Sequence, residues 1–455
     1  MRCFKSADRT QGLLMPPSIN DWLPENHQAR FIVDIVEELD LRSVYRQYRG
    51  SGTMAYDPRL ILSLILYGYS TGVFSSRKIE AATYDSVAFR FISGNHHPDH
   101  DTIANFRKRF LPEIKGWFKQ VLLIGKELGL LNLGNIYIDG TKVQANASKH
   151  KAMSYEYMKR LEEKLETEID SLLELANQTD NKETDTDLDI PKEIRRRETR
   201  LVKIREAKSV VEDRAKERYS KEKKTYDAKI QKRNDHIDKT GKNPRGREPK
   251  APNPSPNESD QYNFTDPESR IMKTKDGFNQ CFNGQAAVND DMIILGAYSN
   301  AHANDKREFI PTINTIPTEL GEISIAVADT GYFSEDNITE CQDKEIIPLI
   351  STARQKHNSY LDKKLNENSS SNDNQEQEQE QEQTPIDKMN QLLNSPKYNE
   401  IYRKRKQTVE PVFGIIKKVL GFRQFSLRGE TETDCEWSLV CLGYNLKRLF
   451  KMKIA

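Results

Sequence analysis

The sequence predicts an α/β domain, a mixed sheet flanked by helices, with an all-α domain before it and a charged helical hairpin inserted into it. Three observations carry that expectation. Apolar residues between 20 and 125 recur three and four apart, the period of helices packed along one side. Two short apolar runs, Ile136-Tyr137-Ile138 and Ala326-Val327-Ala328, each lead into an aspartate with a glycine close behind. Between them, much of the chain from 151 to 261 is densely charged, with Leu and Ile at helical spacing. At 455 residues the chain is too long for one simple core. The expected division is a helical N-terminal domain over 1–125 and an α/β domain split over 130–150, 262–360 and 395–455. The hairpin and a linker take 151–261, and a disordered low-complexity linker takes 366–390.

Each element follows from local chemistry. Phe31, Val33, Ile35, Val36 and Leu39 mark a first helix. Asp57-Pro58 opens another, because Asp caps well and Pro suits the first helical position. A third runs from about Ser76 to Phe91. Gly94 to Pro98 is a turn. His96, His97, Asp99 and His100 there fit no metal-ligand spacing, and Asp101 is read as the cap of the next helix, which carries Arg107, Lys108 and Arg109. Residues 136 to 145 read as a strand, a tight turn at Asp139-Gly140 and a second strand. Leu161, Leu165, Ile169 and Leu172, then Leu201, Ile204, Val211 and Ala215, mark two charged helices of an antiparallel hairpin, split by an acidic stretch. The Pro-, Gly- and Lys-rich segment 234–260 reads as disordered. Beyond it, 281–289 and 292–299 read as paired strands and 305–313 as a helix. A buried strand ends at Asp329, a helix covers 335–343 and a strand 345–352. The run 366–384 is low-complexity, a basic helix from Tyr398 to Leu420 contains Glu410, and a last apolar helix covers 432–451.

Net charge is +1, so the total says nothing about partners, and the distribution matters instead. The five cysteines are scattered with no C-x-x-C pair, which points to reduced thiols and a cytoplasmic location rather than a disulfide framework or a zinc site. The N-terminus has no apolar stretch long enough for a secretory signal, and the most apolar run, Leu60 to Tyr69, is about half a membrane span. No membrane partner is expected.

The chemistry is expected at three carboxylates. A buried strand fixes its last side chain, and a following Gly lets the backbone turn away and leave the carboxylate accessible. If the strands ending in Asp139 and Asp329 are neighbours, their repelling carboxylates share a crevice, and a divalent cation relieves the repulsion. Mg2+ prefers oxygen ligands and keeps several waters, which suits a phosphate substrate. Two such ions roughly 3.5–4 Å apart can activate an attacking oxygen and stabilise the leaving one. Mn2+ can substitute. Glu410 is the third carboxylate, on a helix that Val412, Phe413, Ile415 and Ile416 can anchor to the sheet. A lone Asp before Gly is ordinarily a turn residue, so the inference rests on the three together.

These residues resemble the DDE transposases of bacterial insertion sequences, whose catalytic domain is ribonuclease H-like. YIDGTKVQANAS resembles the first catalytic motif, AVADTGYFS the second and TVEPVFGIIK the third. Asp266-Pro267-Glu268-Ser269-Arg270, with Ala303-Asn304-Asp305 further on, and FRFISGNHHPDHDTIANFRKRF in the N-terminal region are also similar to that family. The resemblance implies that Asp139, Asp329 and Glu410 are the catalytic, metal-binding triad. Tyr402 and Arg405 precede Glu410, with Arg405 one position further out than the commonest spacing, and Lys417 follows at the family's place. It further implies strand cleavage and strand transfer on double-stranded DNA, at element ends and target, by a homodimer in a paired-end complex.

Basic residues cluster around Glu410. Tyr402, Arg405, Lys406 and Lys417 are expected on DNA, as are Arg107 and Arg109 if their helix reads the terminal repeats. Two alternatives share these features: a hydrolytic nuclease of the same fold, separated by a strand-joining assay, and a DNA-binding relic without catalysis, separated by metal-dependent cleavage.

Overall fold

Eight strands run through the residues that the computed structural model describes, 18–48, 54–180, 190–241, 243–244, 248–352 and 385–454. They are β1 (Ile136–Gln144), β2 (Ala152–Ser154), β3 (Gln261–Asn263), β4 (Arg270–Thr274), β5 (Gly277–Val288), β6 (Ile294–Asn300), β7 (Ile325–Ala328) and β8 (Ile347–Ile350). The chain forms two units, one of residues up to Gln144 with those from Phe282, the other of Ala145 to Cys281.

In the first unit the sheet runs β6-β5-β1-β7-β8. β1 and β7 pair in parallel, with Ile136 opposite Ala326 and Tyr137 opposite Val327. β7 and β8 are also parallel, whereas β5 and β6 are antiparallel. The sheet is therefore mixed. Its parallel centre is covered on both faces, which is why β7 is an unbroken apolar run rather than an alternating one.

The C-terminal helix, Glu430–Lys453, is the spine of this unit. Its residues from Cys435 to Leu446 are buried on every side. One side packs on β6, another on the helices Pro58–Thr71 and Ile114–Glu127. β6 is an edge strand, and Asn445 closes it: its side chain accepts from Ile294 N at 2.9 Å and donates to Ile294 O at 2.7 Å. Helix Pro58–Thr71, capped by Asp57, is buried almost throughout for the same reason. The described N-terminal helices thus pack in the same unit as the sheet. The last helix is buried all round over this stretch, so a helix layer is needed on the side that β6 leaves open.

In the second unit the helices Tyr155–Asp180 and Ile190–Thr240 pack through Met158, Leu165, Ile204 and Ala207. Arg197 pairs with Glu168 and Arg205 with Glu162, both at 2.9 Å, and Tyr155 reaches Glu212 at 2.7 Å. Partner numbers run in opposite directions, so the helices are antiparallel. The second helix extends to Thr240, into the segment expected to be disordered. Asp260, at that segment's far end, is held by Arg218 at 3.0 Å.

Three other expectations change. The helix read over 76–91 is two, Ser76–Asp85 and Val87–Ile92, because Ser86 is extended. Asp99, not Asp101, caps the helix His100–Arg109, accepting from Thr102 N at 2.6 Å. The low-complexity linker read over 366–390 overlaps the helix Pro385–Asn394, while its run 366–384 and the acidic stretch over 181–189 lie outside the described residues. Among the described residues Cys281, Cys341, Cys435 and Cys441 are buried and form no disulfide. Among the described residues no helix is long and apolar enough to cross a membrane.

Helix Glu430–Lys453 approaches helix Pro58–Thr71 most closely at Gly443, where an added Cβ would lie 2.8 Å from Tyr69 Cβ and 2.9 Å from its carbonyl carbon. Gly443→Ala is expected to push the two helices apart and destabilise the protein by about 1–3 kcal/mol, measured by denaturant unfolding. An unchanged midpoint would show that this contact is loose.

Candidate active site

Asp139 does not end a strand. β1 runs straight through Asp139-Gly140 to Gln144, with no turn. Glycine is required there for space: a Cβ at Gly140 would lie 2.5 Å from Gln285 Nε2 and 2.8 Å from Asp305 Oδ1. The Asp139 carboxylate accepts from Gly140 N at 2.8 Å and remains partly exposed. Asp329 does follow its strand directly, and it caps the 3-10 turn Thr330–Tyr332 by accepting from Gly331 N at 2.8 Å. Since β1 and β7 are parallel neighbours, Asp139 within β1 and Asp329 just after β7 each stand two residues beyond the paired Tyr137 and Val327.

Glu410 lies on helix Pro396–Gly414, which packs on β1 and β7 through its buried Val409, Val412 and Phe413. Pro411 cannot donate to the carbonyl one turn back, and the helix passes into a π-helical turn at Ile415–Val419. The chain beyond is pinned to the end of β1. Gln144 N donates to Arg423 O at 3.1 Å and Phe425 N to Gln144 O at 2.8 Å. Buried Glu436 accepts from Ser426 N at 3.0 Å and Leu427 N at 2.9 Å. The Glu410 helix is therefore anchored on both sides of the carboxylate it carries.

The guanidinium of Arg405 links the two acidic elements. It lies 3.6 Å from Asp139 Oδ2 and 3.3 Å from Glu410 Oε1. The Arg405 side chain is 10% exposed and that of Glu410 is 48%. A cation thus already occupies the gap between these carboxylates. As the side chains stand, no three His, Cys, Asp or Glu among the described residues lie close enough to hold a metal ion. Burial pushes the Asp139 carboxyl up to about 7; Arg405 opposes this, while the charges of Asp329 and Asp305 add to it.

The other residues expected at DNA divide. Lys406 is exposed on the Glu410 helix and Tyr402 is half-buried. Lys417 donates to Lys142 O at 2.6 Å, joining the helix to β1. Arg107 is turned inward, donating to Tyr69 Oη at 3.0 Å and Phe74 O at 3.2 Å, so the structure removes it from a DNA surface. Its helix is amphipathic, and position 107 falls beside the buried Phe106 and Phe110. Arg109 is exposed but lies over the Tyr48 and Phe110 rings, 5.2 Å from each centroid.

Sequence reading missed the polar cluster behind β1. Asp305 Oδ1 accepts from Asn283 at 2.6 Å, Gln285 at 2.8 Å and Lys142 at 3.1 Å. The available signal was two polar residues, Asn283 and Gln285, spaced by two in the otherwise apolar stretch from Cys281 to Val288, which puts both on one face.

Two family models match the chain, one described as a Transposase domain (DUF772) over residues 17–109 and one as a Transposase DDE domain over residues 249–446. Together they match more than half of it. The second spans Asp329 and Glu410, and Asp139 lies between the two matches. Such a DDE domain implies a ribonuclease H-like fold, and the mixed sheet with flanking helices is of that class. No curated protein and no solved structure matches the chain.

Because Asp139 rises to about 7 from an ordinary 3.8, its proton is held more tightly in the folded chain than in the unfolded one. Stability from this group is present at low pH and is lost as pH climbs between those two values. In metal-free protein, Asp139→Asn is expected to raise the melting temperature more at about pH 8 than at about pH 5. Equal effects at both would contradict the raised value.

Proposed function

The chain belongs to the DDE transposases of insertion sequences, and from there we propose that it binds its element's terminal repeats and cuts and rejoins DNA at Asp139, Asp329 and Glu410. One observation carries the assignment of these residues: adjacent parallel strands and the helix packed across them bear the three carboxylates, with a cation lying between two of them.

The donor set fits a hard divalent ion, because all three groups are carboxylates. Mg2+ bound there would polarise the scissile phosphodiester and make an attacking water or 3′-hydroxyl more acidic. Asp139 and Asp329 are held in place by backbone amides, so their positions are set before anything binds. Glu410 is half exposed and can rotate toward Asp139 once Arg405 withdraws. The withdrawn guanidinium is then positioned to receive a phosphate, the group its planar fork matches best. Exposed Arg403, Lys404 and Lys406 extend the basic surface along that helix. On this reading the antiparallel helices of the second unit are an insertion between β1 and β5 of the catalytic sheet, and two copies of the chain pair the element's ends.

Separate Asp139→Ala, Asp329→Ala and Glu410→Ala variants, and chelation by EDTA, are each expected to abolish cleavage of a plasmid bearing the element's ends. Gel-shift affinity should stay within about threefold for the variants, since the carboxylates do not bind phosphate. A variant that still cuts is not part of the triad. Lys406→Ala should weaken binding to all sequences alike and lower the slope of log K against log salt by about one; an unchanged slope would take Lys406 off the DNA.

A further inference from the structure

We infer that Asp305 is a positioning residue for the reaction, the centre of a polar network that joins the carriers of all three carboxylates. The inference rests on Asp139, Asp329 and Glu410 being the catalytic groups.

The network can be followed atom by atom. Asp305 Oδ1 takes three donors, from Asn283, Gln285 and Lys142. Lys142 stands on β1 three residues after Asp139, and its carbonyl accepts from Lys417 on the chain that follows Glu410. Gln285 is the joint: its Nε2 donates to Asp305 at 2.8 Å while its Oε1 accepts from Tyr332 Oη at 2.6 Å. Tyr332 closes the turn that Asp329 caps. One carboxylate thus connects the strand of Asp139, the turn of Asp329 and, through Lys142, the helix of Glu410.

The loop that presents Asp305 is built to hold it still. Buried Asn337 donates from Nδ2 to Lys306 O at 2.9 Å and to Tyr332 O at 2.7 Å, locking the Asp305 turn to the Asp329 turn. Glu308, also buried, accepts from Asn300 at 2.7 Å and from the Tyr298 hydroxyl. Against this frame Gly140 has no room for a methyl group, so the backbone beside Asp139 rests directly on the Gln285 and Asp305 side chains. Asn283 gives its amide to Asp305, and its own Oδ1 is buried with no hydrogen-bond partner among the described residues.

The test uses the full chain and a plasmid carrying the DNA that flanks its gene on both sides. Asp305→Asn keeps the shape of the side chain but loses the charge that gathers three donors. Tyr332→Phe removes one hydroxyl and leaves a ring that fits the same core. Both are expected to lower single-turnover cleavage in Mn2+, by about 100-fold for Asp305→Asn, the scale of a small misplacement of reacting groups, and by less for Tyr332→Phe. Gel-shift affinity for the same DNA should be unchanged, and Mn2+ affinity, read by electron paramagnetic resonance without DNA, should fall in both. If Asp305→Asn does not fold, Tyr332→Phe decides. Wild-type rates and Mn2+ affinity in the folded variants, with Asp139→Asn inactive, would overturn the positioning role alone. An active Asp139→Asn would overturn the reading on which it rests.

Discussion

The parallel pairing of β1 with β7 is the constraint on which the site depends. It sets Asp139 and Asp329 on neighbouring strands in a partly buried crevice, where two like charges disfavour one another. Such a pair persists only if the surroundings over-determine it. Backbone amides hold each carboxylate, and the guanidinium of Arg405 lies against the first. The Asp139 carboxylate is thus held by the sheet and faced by Arg405, and burial, with the charge of Asp329 adding to it, keeps its proton more tightly bound than in an ordinary carboxyl.

The same sheet explains the helices around it. Helix Pro396–Gly414 reaches across β1 and β7, and its Arg405 lies between Glu410 and Asp139. The C-terminal helix stiffens the sheet from β6, and its Trp437 donates to Gln285 O at 2.9 Å, behind the polar cluster beside Asp139. That helix also packs on the N-terminal helices, so helices of the Transposase-domain match at 17–109 touch the C-terminal helix of the DDE-domain match at 249–446. Arg107 is turned into that interior, donating to Tyr69 Oη and Phe74 O.

Element by element, the chain is unequally readable. Helix Glu335–Asp343 and the strands around residues 283–300 have strong periodicity and clear punctuation, and they stand where local pattern puts them. Asp139-Gly140 is the instructive contrast. A glycine after an aspartate signals a turn when considered locally. Here it answers a steric demand from Gln285 and Asp305, residues more than a hundred positions away, and no window around it carries that information.

What the sequence determined by itself was that Asp139 lies on a strand and Glu410 on a helix, because apolar runs, caps and basic clusters are local properties of the chain. It also determined the family, through short motifs around those groups. Only the tertiary structure decided that Arg405 lies between Asp139 and Glu410, that Arg107 points inward, and that Asp305 gathers Lys142, Asn283 and Gln285. Each of these depends on which strands are neighbours and in what register, and strand order is settled by packing across the whole unit rather than by any segment alone.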